Sequence, residues 1–502
     1  MLNSNCKNMK KNFIIILVAG AIFASSCKKE LLYPESQTQV ADQDYQPFST
    51  AARIQSQVLG LYNTVRSGQF LGGRFQVYND VKAENWINFS NNQITASNTW
   101  NQNVNTTSDE VQNLWSQAYL AINNSNLFID GMAAKGTSVV GATVGAQYVG
   151  EAKFIRAISY YSLLQFYARP YADGNGDKPG VPIRLTGLSA YGDFNLARST
   201  VSQVYDQILK DLNEAEAAVP ANYSTAVLNT TRAHRNTVIA FKTRVYLTMG
   251  RYADVITEAN KIVSPAAPFT AAGGTVAGGV AHALQANIVN VFRTPYVTTE
   301  SIFSMPWSAT EGAGTQSSLA YYFYQNGSAA GLAEFYLSPT GVIADPNWKA
   351  TDARRTGLLF TNTATTGRTY LTKFNQPNPY PDFAPVIRYA EVLLNLAEAR
   401  ARVNGIDAQS VALLNAVRGR SDASTVFTAG GFVSGTPLIN AILQERNIEF
   451  LGEGLRNIDL MRTLQPIPAK GTVVPSIAIS DPRYIWPISG NELLYNNLIT
   501  NN

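Results

Sequence analysis

With 502 residues, 45% of them hydrophobic, and a mean hydropathy of −0.08, the chain has the material for a large core in a water-soluble protein. Charged residues are only 15%, against about a quarter in ordinary proteins. The formal charge of +4 includes Lys7, Lys10 and Lys11, so the rest stands at 4 − 3 = +1, which leaves no basic surface for nucleic acid.

Residues 1–26 read as an export signal. Lys10 and Lys11 precede an apolar run from Phe13 to Phe23, too short to span a bilayer, and the small residues Ala24, Ser25 and Ser26 lead to Cys27. A cysteine at that place is expected to be acylated after cleavage. Cys6 and Cys27 are the only cysteines, so the mature chain has no disulfide. Nothing after Phe23 is apolar for long enough to cross a membrane. Residues 27–48, polar and carrying Pro34 and Pro47, read as an extended tether.

The spacing predicts a first helix over 50–66. From 72 to 108 regular helical spacing disappears; this stretch is rich in Asn, carries no charge between 85 and 108, and holds Trp86, Phe89 and Trp100. Helical pattern resumes over 109–129, where Leu114, Trp115, Tyr119, Ile122 and Leu127 share a face, and again over 147–167, 201–219, 233–249 and 252–263. In FKTRVYLTMGRYADVITEANKIV (241–263) one helix ends at Gly250 and the next begins at once, and LAEARARVNGIDAQSVALLNAV (396–417) repeats that shape around Gly405. Such pairs bury a shared face by stacking on neighbours. The expected fold is mainly α: tetratricopeptide-like helix pairs in an α-α superhelix, with a loop-rich insertion and minor short strands.

Proline and glycine punctuate residues 264–385, which read as that insertion; SIFSMPWS (301–308) is a candidate strand. A pyranose ring offers an apolar C–H face and a rim of hydroxyls, so its site needs flat aromatics beside neutral donors and acceptors. Two distant loop stretches supply both: Trp86, Asn88, Trp100 and Asn101 in the first, Trp307, Tyr322, Tyr324 and Gln325 in the second. Trp115 and Trp486 fall on helical or motif-bearing segments and are assigned to the core.

The C-terminal region carries two charged stripes. In IRYAEVLLNLAEARARVNG (387–405), Arg388, Glu391, Asn395, Glu398 and Arg402 recur at steps of three and four on an otherwise apolar helix, so their charges need internal partners. In QERNIEFLGEGLRNIDLMR (444–462), Glu445, Arg446, Glu449, Glu453 and Arg456 share one helical arc, until Gly452 and Gly454 break the helix or admit another backbone. An internal ion-pair network is the expected outcome.

IRYAEVLLNLAEA (387–399), LLNAVRGR (413–420), ERNIEFLGEGLRNIDLMR (445–462) and RYIWPISGNELLYNN (483–497) together resemble the C-terminal signature of the SusD/RagB family. GEAKFIRAISYYSLLQFY (150–167) resembles its N-terminal signature. The resemblance implies a surface lipoprotein, anchored in an outer membrane through Cys27, that binds a nutrient and works with a TonB-dependent, SusC-like barrel. It also implies the division 1–26 signal, 27–48 tether, 49–263 N-terminal helical region, 264–385 ligand-binding insertion and 386–502 C-terminal helical region. An oligosaccharide is the first expected cargo and an oligopeptide the second. A tetratricopeptide scaffold without a small-molecule site is the rival outside the family.

Enzymatic chemistry has little to work with. His234 and His282 lie in separate segments without Cys or acid clusters, which disfavours a metal site or a Ser-His-Asp triad; each reads as a surface or helix-cap residue. Glu391/Glu398 and Glu445/Glu449 invite a glycosidase reading, but arginines at pairing distance keep them ionised and sequestered. No cofactor, metal or catalytic residue is expected.

Overall fold

The computed structural model describes residues 46–190, 192, 194–328 and 333–502. The signal, Cys27 and all but the end of the tether lie outside the described residues. In chain order the first helices are α1 (Ala51–Val65), α2 (Arg74–Val81), α3 (Ser97–Asn101), α4 (Asp109–Gly131), α5 (Thr137–Val140), α6 (Ala142–Tyr167), α7 (Val201–Ala218), α8 (Ala226–Thr231), α9 (Arg235–Thr248) and α10 (Tyr252–Ala259). They continue with α11 (Leu319–Phe323), α12 (Ala353–Leu358), α13 (Tyr389–Asn404), α14 (Ala408–Ser421), α15 (Gly435–Glu449), α16 (Arg456–Arg462) and α17 (Gly490–Tyr495). Helix starts follow local chemistry: Thr50 caps α1 through Arg53 N, Thr200 and Gln203 form a reciprocal capping box on α7, and Asp407 caps α14 through Ser410 N.

The long helices pack in series. α1 lies on α4, α4 on α6, α6 on α7, α7 on α9, α9 on α10, and α10 on α13, which also carries α14 and α15. This is the tetratricopeptide-like array expected from the pairs around Gly250 and Gly405. Gly405 has φ +71°, a backbone that L side chains rarely adopt, and this reverses the chain between α13 and α14. Central helices are covered on nearly every side: in α9 every residue after Arg235 is buried. One continuous hydrophobic cluster runs from Ile54 to Ile499.

Where helical spacing was missing, the structure still forms α2. All eight of its residues are buried, including Arg74, Gln76, Asn79 and Asp80, so no polar face marks its period in the sequence. Among the described residues six short strands pair antiparallel: β1 (Trp86–Asn88) with β3 (Phe335–Leu337), β2 (Ser301–Met305) with β6 (Ala384–Arg388), and β4 (Leu359–Thr361) with β5 (Thr369–Leu371).

The two charged stripes are internal. Arg388, at the end of β6, reaches Glu300 and Glu449 at 2.6 Å each and Glu453 at 2.8 Å. Arg420 bridges Glu300 and Glu449 from α14, and Arg354 joins Asp352, Glu445 and Glu449. Along α13, Glu391 pairs with Arg244, Asn395 accepts from Arg446, and Glu398 holds Arg462 and Arg402. The helix from 435 stops at Glu449, and at Gly454 (φ +79°) the turn presses on α2: a Cβ there would lie 2.6 Å from Gln76 Cα. The Gly454 amide donates to Asp80 Oδ2 at 2.7 Å.

Candidate ligand-binding site

The two loop stretches do meet, but most of the expected side chains face inward. Trp86 and Tyr322 are 0% exposed and Trp100 is 3% exposed. The Trp86 ring stacks on Phe323 at 4.2 Å, and the Trp100 indole nitrogen donates to Trp86 O at 2.7 Å. The Tyr322 hydroxyl donates to Gln316 O, and Tyr324 is buried beneath the same loop. Asn88, also buried, spends its Oδ1 on Ser90 N and Asn91 N, closing a local turn. These five residues form the packed underside of the loops and present no ring or amide face to a ligand. The expectation that they contact it is corrected accordingly: loops rich in apolar rings bury them whenever another loop supplies a partner, here Phe323 and Phe335.

Three of the expected residues keep some exposure. Asn101 is half-buried with its amide on Ser97 Oγ. Trp307 is half-buried, donates to Gly72 O at 3.0 Å and carries Arg66 over its ring at 5.0 Å. Gln325 is half-buried, its side-chain oxygen accepting from Asn326 N and Gly327 N. Trp307 makes no ring contact with Trp86, Trp100 or Tyr322 among the described residues.

Above the buried layer lies a second set of aromatics. Pairing of β1 with β3 puts Ile87 opposite Tyr336, so the chain emerging from β1 sets Phe89, 37% exposed, beside the Tyr336 ring at 5.9 Å. Tyr370 of β5, itself buried, backs the group 6.4 Å from both rings. The Arg368 guanidinium sits 4.7 Å from the Phe89 ring and 4.7 Å from the Tyr336 ring, and no carboxylate pairs with it among the described residues. Asn91 and Asn92 follow Phe89 in the chain, and Tyr321 stands beside Asn92 and Glu334. Burial first, and then the neighbouring Glu334, pushes the Tyr321 phenol above its ordinary pKa and keeps it a neutral donor. Glu334 is already used as an acceptor by Asn92 Nδ2 at 2.9 Å and Thr95 Oγ1 at 2.5 Å.

Only Phe89 of this rim is conspicuous in the sequence. Tyr336 and Tyr370 lie in three-residue strands, FYL and TYL, where an alternating pattern has no room to declare itself.

Acid–base chemistry has no open pair of carboxylates here. Burial would raise Glu449, but Arg420, Arg388 and Arg354 outweigh it and hold the carboxyl well below the usual range. Glu398 is likewise held low by Arg462 and Arg402 against the effect of burial. The two histidines are not surface residues. His234 occupies the N-cap of α9, and both rings are buried and stacked at 5.6 Å. Burial lowers their pKa to about 3 for His234, with His282 adding to the effect, and to about 4 for His282. Among the described residues no three His, Cys, Asp or Glu side chains converge as metal ligands, and no helix is long and apolar enough to cross a membrane.

Two family models match the chain. One, described as starch-binding associating with outer membrane, covers residues 34–247; the other, the SusD family, covers 360–473. The crystal structure of a SusD superfamily protein from Bacteroides fragilis is 33% identical, with 91% of this chain and 100% of that chain covered and a TM-score of 0.79. SusD-like protein P38 of Formosa agariphila is 22% identical over 99% of both chains. Surface glycan-binding protein A of Bacteroides thetaiotaomicron, solved in complex with laminarihexaose, shares the fold at 17% identity and a TM-score of 0.70, with 90% of this chain and 100% of that chain covered.

Proposed function

The chain belongs to the SusD family, and from that membership we propose that it is an outer-membrane surface lipoprotein that captures an oligosaccharide and hands it to a SusC-like, TonB-dependent barrel. Cys27 is the anchor, and the protein acts as a binding partner of the transporter with no catalytic step of its own. The observation that carries the reading is the rim of exposed Phe89 and half-buried Tyr336, backed by buried Tyr370, with half-buried Arg368 and the bordering amides. Flat ring faces take the C–H side of a sugar, while Asn92, Tyr321 and Arg368 offer donors to its hydroxyls. The test is a glycan array on the soluble chain from Lys28 onward, followed by titration of the strongest binder into Phe89→Ala and Tyr336→Ala. Loss of binding in these variants supports the rim; unchanged affinity in both removes it.

Oligopeptide is the second reading, favoured by Arg368, which no carboxylate pairs among the described residues and whose guanidinium suits a peptide carboxylate. Binding of acidic peptides with no response across neutral glycans would transfer the assignment to peptide. Recovery of the protein with a barrel from detergent-solubilised outer membrane tests the partnership; isolation of the protein alone under gentle extraction contradicts it.

A further inference from the structure

We infer that a cleft between α4, residues 184–190 and 194, and α17 is a second binding site, for a short uncharged saccharide. The cleft has a volume of about 600 Å³, within the ~300–1,000 Å³ range of small-molecule sites. It shares no residue and no element with the Phe89 rim, so the assignment does not depend on that rim binding anything.

Its lining is both aromatic and polar. Half-buried Tyr119 and Phe194 line it, Tyr495 stands at its lip with 70% exposure, and buried Trp115 packs against Tyr119 at 4.9 Å. Also in the lining, Arg184 Nη2 lies 3.5 Å from Glu492 Oε1, a loose ion pair with only 17% of each side chain exposed. Glu492 is held in place from two sides: Asn496 Nδ2 donates to Oε1 at 2.8 Å and the Trp115 indole nitrogen to Oε2 at 3.3 Å. Arg184 is held by donating to Phe194 O at 2.6 Å. The other two guanidinium nitrogens have no acceptor among the described residues, and the carboxylate keeps spare lone pairs.

That arrangement selects the ligand chemistry. A fixed donor and a fixed acceptor side by side match two adjacent hydroxyls, one accepting from Arg184 and one donating to Glu492. The pair is neutral as a whole, so an anion meets Glu492 and a cation meets Arg184; either is disfavoured relative to an uncharged polyol. The Tyr119 and Phe194 rings cover the apolar face that such a ring sugar presents. The volume limits the ligand to a few sugar units.

The experiment uses the mature chain carrying Phe89→Ala and Tyr336→Ala, which removes the rim. Maltotriose, cellotriose, laminaritriose and xylotriose are titrated by saturation-transfer NMR, with D-glucuronate as the charged comparison. At least one neutral trisaccharide is expected to bind. Glu492→Gln, which keeps the shape but not the charge, should weaken it tenfold or more, and Ser116→Trp, placed at an exposed position lining the cleft, should abolish it. Failure of all four trisaccharides to bind overturns the inference. So does affinity that survives Ser116→Trp, or tighter binding of glucuronate than of the neutral sugars. Loss of rim binding alone in the Phe89/Tyr336 variant leaves this result readable, because the two sites fail separately.

Discussion

Arg388 and Glu449 meet at 2.6 Å with side chains 2% and 0% exposed, and each is also bound to further charges: Glu300 and Glu453 on the arginine, Arg354 and Arg420 on the glutamate. The network ties β6, α12, α14, α15 and the turn after α15 into one unit. Removing one member leaves several buried charges without a partner. Glu449→Ala is therefore expected to cost about 3–5 kcal/mol, measured by urea denaturation. Arg251→Ala, which breaks an exposed pair with Asp254, should stay within about 1 kcal/mol.

The two buried histidines contribute an acid-sensitive part of the stability that begins to be lost below pH 6.5. His234 and His282 have folded pKa values near 3 and 4, below the ordinary 6.5, because burial disfavours their charged forms. A depressed base takes up protons in the unfolded chain first. Its contribution is fully present above pH 6.5 and is lost as pH falls from there toward 4, at up to about 1.4 kcal/mol per pH unit for each group. The network carboxylates, Glu449 and Glu398 held low and Asp459 at about 2, add a second loss only below their unfolded values near 4. Asp80 and Asp382, raised by burial to about 7 and about 6, take up protons in the folded chain first over the same range and oppose this loss. The test is therefore relative: between pH 7 and 5 the stability of His282→Asn, which removes one depressed base, should fall less or rise more than that of the parent. An unchanged slope in that variant would place the acid response elsewhere.

The C-terminal stripes were legible because an apolar helix cannot bury Arg388, Glu391 and Glu398 unpaired, so the residue pattern alone demands partners. Helix pairs around Gly250 and Gly405 were legible for the same kind of reason, one short reversal between two amphipathic runs. α2 was not, since Arg74, Gln76, Asn79 and Asp80 are as buried as its apolar residues. The loops that build the rim could be located by composition, but which ring faces outward depends on the opposite loop. Trp86 turned inward onto Phe323, and Tyr336 and Arg368, hidden in or beside three-residue strands, took the outer surface.

Two glycines that share a positive φ should respond differently to alanine. Gly405 (φ +71°, ψ −127°) has nothing within 4 Å of an added Cβ, so Gly405→Ala meets only the backbone strain of a conformation that L side chains rarely adopt. Gly454 (φ +79°) has Gln76 Cα at 2.6 Å and Gln76 O at 3.0 Å, both backbone atoms that cannot rotate away. Gly454→Ala should therefore lower the melting temperature distinctly more than Gly405→Ala. Equal effects would mean that α2 can shift off the turn.

Cys27→Ala should move the protein from the membrane fraction to the soluble one, since no helix among the described residues can hold it in a bilayer. Several acyl chains on one cysteine anchor stably where a single chain is marginal. Retention of the variant in membranes that lack the barrel partner would contradict lipid anchoring at this residue.

Binding and stability should separate between the two aromatic layers. Trp86 is fully buried, stacked on Phe323, with its carbonyl accepting the Trp100 indole, so its removal opens a cavity in the loop core. Trp86→Ala is expected to cost about 3–5 kcal/mol of stability and to weaken any ligand only through that loss. Phe89 is 37% exposed and rests on Tyr336 and Arg368, so truncating it removes ligand-facing surface and little packing. Phe89→Ala should leave the melting temperature within a few degrees and weaken oligosaccharide binding tenfold or more, about 1.4 kcal/mol. The decisive comparison is affinity measured at a temperature where both variants are folded. If Trp86→Ala loses affinity there and Phe89→Ala does not, the ligand enters beneath the rim and the inner layer must open to admit it.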